Sequence, residues 1–154
     1  MTEDIESEYQ ELEKKQSLPP FEGLDEEFEI SAIEDHGFLL RSVRRRMTER
    51  IDMFNNFIEE LIQPDTTLAN LHEVKDMDET KKLEVYELYR QMMAINRRSV
   101  LVGLGNSDTA NAAFIKDVSV EWDKLKPRVE KVLRMMHDSW NESKITAENL
   151  EYFG

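Results

Sequence analysis

The sequence has no cysteine. That excludes disulfides, thiolate nucleophiles and sulfur-ligated metals, and it accords with a reducing compartment. Histidine is almost missing as well, with three in 154 residues. Metal centres in helix bundles use Glu-x-x-His on two helices. The residues three before His36, His72 and His137 are Ile33, Ala69 and Arg134, so the motif is absent and no metal or cofactor is expected. Five glycines and four prolines are few for a loop-rich or all-β chain. No apolar run approaches the ~20 residues of a membrane-spanning helix. Thr2, Glu3, Asp4 and Ile5 at the start lack the basic and apolar regions of a secretory signal. The expectation is a cytoplasmic protein with no membrane partner.

What is present is charge, unevenly placed. Residues 1–35 hold 13 Asp/Glu against two Lys, whereas residues 36–154 hold 20 Asp/Glu against 18 Lys/Arg. An acidic arm therefore precedes a nearly neutral body, and the most basic run of the chain, RSVRRRMTER at 41–50, follows the arm at once. Charge blocks of this kind mark interaction segments.

Hydrophobic periodicity predicts helices throughout. Residues 2–16 carry one thin stripe, Ile5, Tyr9 and Leu12, with Thr2 as N-cap, and Leu18-Pro19-Pro20 ends it. Residues 21–30 (FEGLDEEFEI) set Phe21, Leu24, Phe28 and Ile30 among acids, which predicts an extended docking peptide. Ser31 and Glu34 form a capping-box pattern before a helix of about 32–62, with Gly37 its weak point. A short helical turn, LANLHEV, is expected in the connection at 63–77. A helix of about 79–102 opens at Asp76 or Asp78 and stops at Gly103 and Gly105. Its apolar residues cover most of its circumference, so it is expected between two neighbours. The last helix, about 108–140, opens at Ser107 or Asp108 and is expected to kink rather than break at Pro127. Trp122, Phe54 and Tyr89 are predicted to be buried where the long helices meet.

The fold class that follows is all-α: an antiparallel bundle of three long helices with an additional N-terminal helix on the acidic arm. The expected divisions are 1–30 for the arm, 31–142 for the bundle and 143–154 for a short tail, in which Leu150, Tyr152 and Phe153 are either frayed or an apolar hook.

No catalytic constellation emerges. His137, Asp138 and Ser139 are consecutive, so on a helix they diverge by about 100° each and cannot form a triad. GLGNSD at 103–108 lacks the third glycine of a dinucleotide loop and the lysine of a P-loop, and it follows a helix where both need a strand. The expected function is thus a non-enzymatic adaptor or accessory subunit. Its protein partner is expected to be contacted through Phe21, Leu24, Phe28 and Ile30, and a homo-oligomer is allowed. The alternative is a nucleic-acid-associated protein contacting anions through Arg41, Arg44, Arg45, Arg97 and Arg98, with the acidic arm as an intramolecular mask. Residues 17–30 are predicted to be mobile in the free monomer and to order against a basic-rimmed apolar groove, on a partner or on the protein's own body.

Overall fold

Steps of three, four and seven residues put Leu40, Val43, Met47, Ile51, Ile58 and Leu61 on one face of a helix, and all six are buried. The computed structural model, which describes residues 4–64 and 66–141, builds the fold around that face. Among the described residues the elements are α1 (Ile5–Gln16), α2 (Phe21–Phe28), a 3-10 turn (Ile30–Ala32), α3 (Leu39–Ile62), α4 (Leu68–Val74), α5 (Glu79–Gly105) and α6 (Asp108–Asn141). No strand occurs among them, and none of the helices is long and apolar enough to cross a membrane.

The three long helices run up, down and up. Thr48, Asp52 and Glu59 of α3 meet Ser99, Asn96 and Tyr89 of α5 in reverse order. Arg98 and Gln91 of α5 likewise meet Asp117 and Arg128 of α6 in reverse order. The buried faces of all three converge on Met47, Ile51, Leu88, Met92, Ile95, Phe114, Ile115 and Val118. The short α4 closes the far end, where the His72 ring stacks on Trp140 at 4.0 Å.

The helix ends depart from expectation in two places. The capping box at Ser31 and Glu34 is not used. The Ser31 N–H donates instead to Asp25 Oδ1 at 2.8 Å, and α3 starts only at Leu39. The cause is Asp35, whose carboxylate accepts from the Gly37 N–H at 3.1 Å and whose carbonyl accepts from the Ser42 hydroxyl at 3.1 Å. Such a local turn competes with the helix. At the other correction, Gly103 and Gly105 lie inside α5, and Asn106 ends it at φ 50°, with its N–H donating to the Val102 carbonyl at 2.8 Å. Asparagine is the usual substitute for glycine in that left-handed cap. Asp78 caps the start of α5 through the Lys81 N–H at 2.8 Å. Ser107 caps α6 through the Ala110 N–H at 3.1 Å, and α6 continues across Pro127. Asp4 caps α1; the Thr2 cap expected there, and the tail at 143–154, lie outside the described residues.

The acidic arm folds onto the bundle. Phe21, Leu24, Phe28 and Ile30 are only 1–8% exposed, so the residues expected to reach a partner belong to this protein's own core. The segment is helical, not extended, because Phe21, Leu24 and Phe28 stand at i, i+3 and i+7, a helical period. Phe28 meets the Trp122 ring at 6.2 Å, and Phe21 meets Tyr9 at 5.7 Å. Trp122 also stacks on Phe54 at 6.1 Å. That aromatic junction belongs to α2, α3 and α6, whereas Tyr89 is half-buried on the α3–α5 rim with its hydroxyl on Glu59. Trp122→Ala is expected to lower unfolding free energy by about 3–5 kcal/mol and the half-buried Phe54→Ala by about 2 kcal/mol, read from urea denaturation; a Trp122→Ala loss below about 1 kcal/mol would contradict this packing.

Candidate interaction surface

The five arginines named as the alternative anion contact take up different surroundings. Arg44 is 6% exposed and lies inside the bundle. Its Nε donates to Asn111 Oδ1 at 2.7 Å, and its Nη1 donates to the Ser99 carbonyl at 2.8 Å and the Ser99 hydroxyl at 2.7 Å. No carboxylate among the described residues pairs with it. Burial, and then the charges of Arg45 and Arg41, hold its pKa below the ordinary arginine value. Gly103 makes room for it, since a Cβ at that position would sit 3.3 Å from Nη2. Thr48 bonds the same Ser99 hydroxyl at 2.8 Å, and Asn111 donates onward to the Ser107 carbonyl at 2.8 Å. One cation thereby ties α3, α5 and the start of α6 together.

The other arginines diverge. Arg41 faces Asp35 at 3.9 Å and covers the Phe38 ring at 4.5 Å. Arg45 is exposed. Arg46 holds the arm, donating to the Phe28 carbonyl at 3.1 Å and to Glu29 at 3.2 Å. Arg97 donates to Asn96 Oδ1 at 2.6 Å, and its charge acts on Asp52 of α3. Arg98 points to the opposite side of α5, where it pairs with Asp117 and Glu121 of α6. A phosphate backbone would find no continuous row of cations here.

The arm is fastened by charge as well as by apolar burial. Glu27 accepts from the Trp122 indole at 3.0 Å and from Lys126 at 2.5 Å. Burial pushes its carboxyl up, but those two hydrogen bonds, with the charges of Lys126 and Arg50, outweigh it and leave the pKa below its ordinary value. His36 meets Glu8 at 3.2 Å and so joins α1 to the loop before α3. Among the described residues no group of three or more His, Cys, Asp or Glu is placed to hold a metal ion.

The surface that does stand free is the outer face of α5. Leu83, Tyr86, Val100, Leu101 and Leu104 are 68, 51, 64, 70 and 86% exposed. Leu83, Tyr86, Arg90, Met93, Arg97, Val100 and Leu104 follow one another in alternating steps of three and four, the spacing of a coiled-coil seam. The face lies opposite Val85, Leu88, Met92 and Ile95, which fill the core. The apolar surface nearly all round this helix predicts two neighbours, and α5 has them in α3 and α6. The outer face lies beyond both contacts. At the seam, Arg90 donates to Glu87 at 2.9 Å, and hydrogen bonds from Arg90 and Gln91 bring the Glu87 carboxyl down to about 2. Arg97 has no carboxylate partner among the described residues.

Comparison with known proteins finds no matching family model, no matching curated protein and no matching solved structure.

Two outcomes follow for these contacts. Arg44→Ala is expected to cost about 2–4 kcal/mol, because it strips charge-assisted bonds and strands Asn111 and Ser99 in the core; a double-mutant cycle with Asn111→Ala should then show coupling above about 0.5 kcal/mol. For Glu27 the folded pKa lies below the unfolded one, so its contribution is present above the unfolded value and lost as pH falls through the folded value. Acidification below its ordinary 4.5 should therefore release amide protection at Phe21–Phe28 before the protection of α5, measured by hydrogen exchange; simultaneous loss would show that the arm and bundle open as one unit.

Proposed function

We propose that the protein is a non-enzymatic helical adaptor or accessory subunit that presents the outer face of α5 to a partner helix. The observation that carries this reading is the run of exposed Leu83, Tyr86, Val100 and Leu104 in coiled-coil register along one helix, with exposed Leu101 beside it. From Leu83 to Leu104 the seam spans about 32 Å at 1.5 Å per residue, room for a partner helix of about 20 residues. An apolar face this long, broken by two charges, is the pattern of helix-in-groove and coiled-coil recognition.

The arginines select the partner. A parallel second copy would set Arg90 on Arg90 and Arg97 on Arg97, which is repulsive. An antiparallel copy in seam register would set Arg97 against Tyr86 and Arg90 against Met93, with no carboxylate for Arg97. A partner helix with apolar seam residues and a Glu or Asp opposite Arg97 meets both demands, and polar seam residues of this kind fix register and choice of partner. The acidic arm then serves the scaffold: it completes the core on the far side and is not the contact.

A photo-crosslinking residue in place of Leu101 tests this in cells. The expected result is a discrete adduct with a different protein, joined through an acidic amphipathic helix, and lost on Arg97→Glu or Leu104→Asp while the thermal unfolding midpoint stays put. An adduct of two copies of this chain, or an adduct indifferent to both substitutions, would overturn the reading.

A further inference from the structure

An open cleft of about 450 Å³ lies between α3 and α6, with α2 at one end. Its floor is apolar: Phe54 stacked on Trp122, then Val129 and Leu133. That volume is within the range of small-molecule sites, which combine an apolar lining with a few placed polar groups.

The rim charges sort themselves by partner. Lys126 is taken by Glu27 at 2.5 Å, and Arg134 by Glu130 at 2.7 Å. Glu26 is exposed. Arg50 is different. It is half-buried, its guanidinium lies 5.5 Å from the centre of the Phe54 ring, and its Nε is buried with no hydrogen-bond partner. No described residue forms an ion pair with it. A buried donor without an acceptor is uncommon and calls for one. The planar guanidinium fork matches a carboxylate in bidentate geometry.

We propose that this cleft is a binding site for a small amphipathic carboxylate, with its aromatic or branched aliphatic body on Phe54, Trp122 and Leu133 and its carboxylate on Arg50. A cation is disfavoured, because the rim acid without an ion pair, Glu26, is exposed, while Arg50 is half-buried. A purely apolar ligand would leave the Arg50 guanidinium at the rim without an anion. The site shares no residue with the α5 seam and stands or falls independently of it.

The test uses the full-length chain with 4-phenylbutyrate as probe and 4-phenylbutanol as its uncharged counterpart. Calorimetry should give a dissociation constant for the carboxylate of about 1 mM or tighter, the scale set by a ligand of about a dozen heavy atoms. The alcohol should bind about tenfold more weakly. The Trp122 indole N–H resonance should shift during the titration, since that ring forms the floor. Arg50→Gln should weaken the carboxylate about tenfold and leave the alcohol unchanged; Arg50→Lys, which keeps the charge and loses the fork, should fall between. Equal affinity for acid and alcohol, an unchanged constant in both Arg50 variants, or a stationary Trp122 resonance would each overturn the proposal. Should Arg50→Gln unfold the protein, the Arg50→Lys constant and the acid-to-alcohol ratio in the unmodified chain decide it.

Discussion

Arg44 sits at the place where three helices must agree on their register. Its guanidinium is out of water, and the groups that receive it are neutral: a side-chain amide, a hydroxyl and a main-chain carbonyl. A buried charge tolerates little displacement of its acceptors, because losing one costs most of the desolvation already incurred. Sliding α5 along α3 by one turn would take Ser99 from Arg44, and rotating α6 would take Asn111. Apolar burial drives the helices together without fixing their axial position. This cation adds the directional constraint, and Asp52–Asn96, at 2.7 Å, repeats it two turns along α3. The absence of a side chain at Gly103 belongs to the same arrangement, since the guanidinium occupies that space.

The long-range architecture was readable from periodicity because an amphipathic stripe reports burial directly. The faces of α3 and α6 came through in that way, as did the caps at Asp78 and Ser107. What failed was local competition. The pattern of Ser31 and Glu34 meets the requirement for a capping box, yet Asp25 reaches the Ser31 N–H first and Asp35 turns the chain before a helix can start. Glycine was read as a helix stop at 103 and 105, when its use at 103 is the approach of a side chain 59 positions earlier. No local pattern contains that information.

The placement of the candidate site residues was hard to read for a related reason. Charge in a sequence has no direction. Arg41, Arg44, Arg45, Arg97 and Arg98 are near one another along the chain and along neighbouring helices, but their side chains go to α6, to the arm loop, to the core and to solvent. The aromatic residues of the arm looked like a partner's ligand because so acidic a segment seemed unable to bury them. Glu27, received by Trp122 and Lys126, shows how the body meets that charge. The breadth of the apolar surface on α5 was legible, and so were its two neighbours, α3 and α6; the stretch that neither of them covers was not.

The contact between Glu27 and Trp122 spans 95 positions of sequence. During synthesis the arm leaves the ribosome long before its seat exists. At the usual 5–20 residues per second, the delay is about 5–20 s. Through that interval Phe28 lacks the Trp122 ring against which it packs. Like charge on the surrounding acids opposes the association of such segments with one another until α6 arrives. The acidity that marks the first fifth of the chain thus belongs to the order in which the protein is made as much as to its finished form.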